Sequence, residues 1–322
     1  TYRGPTPGSE PEAQAVEAYS DAVFPDQRDD DLDSPAPDDA TGLYLDIHSA
    51  SEIILWPWGF DTGNNPPNGT ALQTLGRKLA YFNGYDPSHH IWYDVDGDTI
   101  DSAYGRLGVA SFVYELGTTF FQDCDYFEST ILPYNLQSLI YAAKVPRTPY
   151  LTPSGPETVD LSLQGGAFVA PGDLITLNGI ATDTRFNNQN GTEPTGTVAA
   201  ARCSLDSPPW SDPGPTFLPL AASDGSFDGG IESIEQLIDT TGLDDGRHML
   251  YCQAQDDAGQ WGPVSALFFW IMDPTTAPHI AGTVTSAGNG LPLEAQISVG
   301  ALNSGFSDPV TGAYDLMVPE GV

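Results

Sequence analysis

The chain has 322 residues, 44 of them acidic and 10 basic, for a formal net charge of −34. Nucleic acid and anionic membrane surfaces are thereby disfavoured as partners, because both call for a basic face. Hydrophobic residues make up 40 %, enough for real cores, and the length suggests two or three domains without any apolar run of the roughly 18 residues that a membrane span needs.

"GSEPEAQAVEAYSDAVF" predicts a helix, with Ser9 as N-cap, Glu12 completing a capping box and Pro11 tolerated in the first turn. Residues 26–40 read as an acidic loop. "GLYLDIHSASEIILWPWGF" holds two apolar runs of strand length around His48. Residues 69–83 show helical spacing. "WYDVDGDTIDSAY" (92–104) alternates Asp94, Asp96 and Asp98 like the start of a calcium loop. An EF-hand needs Gly at position six and a bidentate Glu at position twelve, and Thr99 and Gly105 stand there. An Asp/Gly turn is the plainer reading. "VASFVYELG" predicts a strand ending at Glu115, and "ESTILPYNLQSLIYAAKV" a helix with Pro133 at its first turn or at a kink.

From residue 147 the texture changes. Residues 147–156 are rich in Pro and Thr and read as a linker. Residues 157–273 hold short alternating strands separated by Gly, Asp and Pro turns, the pattern of an all-β sandwich. Residues 274–278 read as a second linker, and 279–322 as a further small β domain. The first residues are not a signal peptide, and the last stop in a strand-like run, so the expectation is a fragment cut at both ends. Cys203 and Cys252 sit in strand-like segments of one region. A disulfide in an oxidising compartment and two buried thiols are both open.

Four pieces, "YRGPTPGSEPEAQAV", "LDIHSASEIILWPWGF", "YDVDGDTIDSAYG" and "ASFVYELG", resemble in order and content the second half of the catalytic domain of zinc metallocarboxypeptidases of the carboxypeptidase A type. The resemblance runs from Tyr2 to about residue 145. It implies a multidomain chain: an incomplete α/β domain over 1–146, a mixed sheet flanked by helices, followed by all-β sandwich modules. It also implies zinc as cofactor and a peptide or protein as substrate, cut at its C-terminal residue. His48 would be the third zinc ligand and Glu115 the general base. Tyr93, eight residues before Asp101, would be the mobile tyrosine that covers the substrate. Ile100 would line the specificity pocket, Asp98 could meet a basic side chain there, and Ser49 would contact substrate.

The sequence departs from the family's pattern. Ser102 stands where a Trp is usual, and Ala50 where an aromatic is usual. No His-x-x-Glu tetrad and no Asn-Arg pair occurs in the 322 residues. In the family both lie upstream of the segment matching Tyr2, so truncation is the expected cause and this chain alone is expected to be inactive.

"GRHMLYCQAQDDAGQWGPVS" resembles the last strands of bacterial immunoglobulin-like modules, with His248 a surface strand residue and Trp210 and Trp261 in packing roles. "IAGTVTSAGNGLPLEAQISV" resembles the transthyretin-type regulatory module that often trails carboxypeptidases. Together these imply a secreted or cell-surface enzyme. The alternative is a secreted, non-catalytic binding protein on a degenerate peptidase scaffold.

Overall fold

A computed structural model of the protein describes residues 4–89, 93–299 and 303–319; Tyr2, where the family resemblance begins, lies outside them. The N-terminal part consists of α1 (Pro11–Val23), β1 (Leu43–His48), β2 (Ile53–Leu55), α2 (Gly69–Asn83), β3 (Asp86–Ser88), α3 (Thr99–Leu107) and β4 (Ala110–Glu115). A helical run follows, formed by α4 (Cys124–Tyr126), a π turn (Phe127–Ile131) and α5 (Leu132–Lys144). The four strands form a mixed sheet in the order β1-β4-β2-β3. β4 is parallel to β1 and antiparallel to β2. Its central place explains its composition: Ala110, Phe112 and Tyr114 are fully buried, as is Ser111 on the opposite face.

Leu72, Leu75 and Leu79 of α2, spaced for one helix face, are also fully buried and join Ile54, Trp56, Phe112, Tyr114 and Tyr141 in one core. Gly76 lets α2 approach Trp56. A Cβ at that position would stand 2.6 Å from the indole ring.

Several sequence expectations need correction. α1 starts at Pro11 with Glu10 at its N-cap, and the Ser9 hydroxyl donates to the Glu10 carboxylate (3.1 Å) instead of capping the helix. The Asp/Gly signals predict a turn at Asp94–Asp98, and the structure adds α3 directly behind it. Ile100, Ala103, Tyr104 and Leu107 are buried at helical spacing, and the Asp98 carboxylate accepts the Asp101 N–H as N-cap (2.7 Å). Ahead of Pro133 the helical run widens into the π turn, at the place where a proline ring crowds the preceding carbonyls.

The largest difference concerns residues 147–156. Pro149, Tyr150, Pro153, Gly155 and Pro156 are buried, and the Tyr150 hydroxyl donates to the Gly108 carbonyl (2.9 Å). A Cβ on Gly155 would lie 2.4 Å from the Gly262 nitrogen. A Pro-rich stretch has the same composition whether it is solvated or wedged between domains, and here it is wedged.

Strands β5 (Glu157–Leu163), β6 (Phe168–Val169), β7 (Leu174–Thr182), β8 (Val198–Leu205), β9 (Phe217–Ala222), β10 (Ile231–Asp239), β11 (Gly246–Asp256) and β12 (Ser265–Ile271) form an eight-stranded sheet, ordered β5-β7-β10-β9-β8-β11-β12-β6. It folds back on itself. The Thr158 hydroxyl of β5 donates to the Cys252 carbonyl of β11 (3.1 Å), and the Ser265 hydroxyl of β12 donates to the Thr158 carbonyl (2.6 Å). Cys203 and Cys252 are register partners on β8 and β11, with Cα atoms 4.1 Å apart, and are joined as a disulfide.

His248 is not a surface residue. It is 8 % exposed, stacks on Phe269, and has Nδ1 2.6 Å from Asp206 Oδ2 and Nε2 2.8 Å from the Asp244 carbonyl. Trp261 packs beneath the Arg202 guanidinium (3.8 Å), whereas Trp210 stays half exposed beneath Arg147 (4.3 Å). Beyond residue 278, β13 (His279–Thr283) pairs with β16 (Ala313–Met317), and β14 (Gln296–Val299) with β15 (Asn303–Phe306). Among the described residues no helix is long and apolar enough to cross a membrane.

Candidate active site

The parallel register of β1 and β4 sets His48 opposite Glu115 at the ends of the two strands, and Asp46 opposite Val113. Residues two apart on a strand share a face, so Asp46 and His48 lie side by side, with His48 Nε2 3.0 Å from Asp46 Oδ1. A cavity of about 390 Å³ opens there, lined by Asp46, His48 and Glu115 together with Leu55, Trp56, Val113, and Tyr93, Val95, Asp98 and Ile100 from the loop and helix beyond β3.

The loop is held in place by its own carboxylates. Asp101, at the start of α3, accepts the Gly59 N–H (2.9 Å) and the Phe60 N–H (3.0 Å), which ties the segment after β2 to the helix. Asp94 accepts the N–H (3.2 Å) and the hydroxyl (2.6 Å) of Thr62. With Asp94 on Thr62 and Asp98 on the helix N-terminus, the two carboxylates serve different partners instead of converging on a calcium cage.

Electrostatically the cavity is acidic with an apolar floor. Burial raises the pKa of Glu115; His48 opposes the shift and Asp46 adds to it. Glu115 Oε2 is buried with no hydrogen-bond partner among the described residues. Asp98 is pushed up to about 7, chiefly by burial and then by the neighbouring Asp101 charge. Burial also raises Asp101, against the N–H bonds from Gly59 and Phe60.

The structure thus brings His48, Glu115, Tyr93, Asp98 and Ile100 to one cavity. Tyr93 is 63 % exposed and Ile100 only 2 %. Ser49 is not among the residues lining the cavity, and its hydroxyl donates to the Phe120 carbonyl (3.3 Å). Sequence reasoning missed Asp46, Thr99 and His89. Thr99 donates to Asp46, and His89 Nε2 lies 3.1 Å from the Thr62 carbonyl. The position of Asp46, two residues before His48 on a strand, was the available signal.

Among the described residues no group of three or more His, Cys, Asp or Glu side chains is arranged to hold a metal ion. A catalytic zinc takes three protein ligands and an open position. These residues by themselves therefore do not fit a zinc centre: His48 is one imidazole, already beside Asp46. What the arrangement does supply is a carboxylate poised to take a proton and an exposed phenol at the mouth of a cavity with an apolar floor.

Residues 1–139 match the family described as zinc carboxypeptidase. A zinc carboxypeptidase of Saccharothrix mutabilis subsp. capreolus is 32 % identical over 79 residues, which cover 23 % of this chain and 18 % of that protein. The match therefore spans less than a fifth of the relative's length. Among solved structures, OgpA from Akkermansia muciniphila overlaps 39 % of this chain and 34 % of its own at 14 % identity and a TM-score of 0.25. Dimeric latent PorU from Porphyromonas gingivalis overlaps 40 % and 11 % at 18 % identity and a TM-score of 0.24. Both overlaps are too slight to assign a fold. By the family match and the distant relative, residues 1–139 carry the sequence pattern of the zinc carboxypeptidases.

Proposed function

We propose that residues 1–146 are the C-terminal half of a zinc carboxypeptidase catalytic domain, in a secreted enzyme that removes C-terminal residues from peptides or proteins. The observation that carries this reading is the register pairing of His48 with Glu115 above a cavity that also receives Tyr93, Ile100 and Asp98. Glu115, with its pKa raised, takes the proton of an attacking water and returns it to the leaving amine. Tyr93 covers the substrate and donates from its phenol. Ile100 gives the side-chain pocket an apolar wall, and Asp98 offers a basic side chain an anion. His48 is the one zinc ligand the chain offers, and the remaining ligands come from residues outside these 322. The immunoglobulin-like and regulatory-like modules accompany the enzyme at a surface.

Two measurements test this. The coding sequence immediately upstream is expected to encode a His-x-x-Glu tetrad and an Asn-Arg pair. The isolated chain, dialysed against zinc and then chelator, is expected to retain no stoichiometric metal, whereas the chain joined to that upstream segment retains one zinc and releases C-terminal amino acids. An upstream sequence without either motif favours a non-catalytic scaffold.

A further inference from the structure

The β-sandwich is joined to the α/β part by buried charge. Lys78 of α2 is fully buried, 3.2 Å from Glu157 of β5 and 4.0 Å above the Phe186 ring. Arg77 pairs with Glu193 (3.0 Å), both about 5 % exposed, and Thr74 donates to the same carboxylate. Ions are retained out of water only when paired. A helix that buries two adjacent cations against carboxylates of the next domain therefore has a surface made for that domain.

The β7–β8 loop of the sandwich extends this seam toward the cavity. Asn187 donates its amide to the Tyr85 carbonyl (2.8 Å), and its N–H donates to the Arg77 carbonyl (3.0 Å). Asn190 donates to the Asp86 carboxylate and to the Pro87 carbonyl (3.4 Å). Asp86 and Pro87 belong to β3, and the residue just past that strand is His89 in the cavity wall. His89 is bonded to the Thr62 carbonyl, Thr62 holds Asp94, and Asp94 adjoins Tyr93. The Val95 N–H in turn donates to the Gly59 carbonyl (2.8 Å).

We propose that the β-sandwich is a positioning element of the candidate site: Asn187 and Asn190 fix β3, and through the His89–Thr62–Asp94 chain they fix the loop that carries Tyr93. The sandwich is thus part of the cavity's frame and not a tethered accessory, which agrees with the burial of Pro149, Tyr150, Pro153, Gly155 and Pro156. Its consequence for catalysis rests on the carboxypeptidase reading; the positioning itself does not.

Hydrogen exchange on the full chain tests it without any activity measurement. The variants are Asn187→Ala and Asn190→Gly, with Gln189→Ala as the neighbouring control. Asn190 has a φ of 57°, which glycine adopts freely, so its exchange removes the amide without straining the loop. Three segments are followed: 84–89, 93–97, and 248–254 in β11. Loss of one such bond is expected to speed exchange roughly five- to tenfold in the first two segments. Segment 248–254 and the control variant should remain unchanged. Unchanged exchange everywhere, equal acceleration in all three segments, or acceleration confined to 84–89 would each overturn the proposal. The hydrolase reading stands or falls separately, on metal retention and the upstream motifs.

Discussion

His48 and Glu115 meet at the ends of adjacent parallel strands, and the Glu115 carboxylate has one buried oxygen, Oε2, without a hydrogen-bond donor among the described residues. A carboxylate oxygen removed from water without a donor favours protonation, which suits Glu115 to the general-base role proposed for it. On the carboxypeptidase reading proposed above, Glu115→Gln in the chain joined to its upstream segment is expected to lower kcat by ~10²–10⁴-fold, the usual contribution of general acid–base catalysis. Tyr93→Phe removes one neutral hydrogen bond and is expected to cost about tenfold in kcat/KM. Steady-state kinetics on both variants checks the order. A Tyr93 effect larger than the Glu115 effect would reverse the assigned roles.

Asp98 should make the fold pH-sensitive. Its folded pKa, about 7, stands above the ordinary 3.8, so across that window the folded state holds more protons than the unfolded chain. Stability contributed by protonated Asp98 is present below the lower value and is lost as pH rises through the upper one. Asn also serves as an N-cap, so Asp98→Asn should keep α3 intact. The wild type and the variant are expected to have similar urea midpoints near pH 4, and the variant to be the more stable at pH 8. Midpoints that differ equally at both pH values would show that Asp98 does not titrate in this way.

The seam between domains predicts a large single-site effect. Glu157 is shared by Lys78 (3.2 Å) and Arg185 (3.0 Å). Glu157→Ala leaves Lys78 buried without this partner, a change that typically costs ~3–5 kcal/mol. Lys78→Met/Glu157→Gln, which removes both charges, should recover much of that loss. Chemical denaturation followed by far-UV circular dichroism measures both. If the single variant is as stable as the wild type, the burial of Lys78 is not energetically significant.

The disulfide between Cys203 and Cys252 closes a 49-residue separation. Chain-entropy reasoning gives roughly 4 kcal/mol of stabilisation for a loop of that length. Reduction, or Cys203→Ala/Cys252→Ala, is expected to lower the melting temperature of the β domain, and the native, unreduced chain is expected to show one free thiol, Cys124. Thiol titration and calorimetry with and without reductant decide this. Three native free thiols would remove the bond.

Local pattern was enough to read β1, β2, α2 and β4, because each carries its own apolar periodicity and ends where His48, Leu55, Asn83 and Glu115 stand. Motif order alone brought His48, Glu115, Tyr93, Ile100 and Asp98 into one hypothesis, and the composition alone disfavoured nucleic acid. The start of α1 was misread because Ser9 and Glu12 match a capping box that Pro11 displaces: a proline preset for the first helical turn places the N-cap at Glu10. α3 was missed because the Asp and Gly signals ahead of it outweighed the spacing of Ile100, Ala103, Tyr104 and Leu107. What only the tertiary structure decided are matters of partnership. A lysine in a helix reads as solvated until Glu157, 79 residues away, is found against it. His248 reads as exposed until Asp206 and Phe269 close over it. Residues 147–156 read as a linker until Gly262 fills the space beside Gly155. In each case the burial energy belongs to a contact between distant segments, and no local window of sequence contains both sides of it.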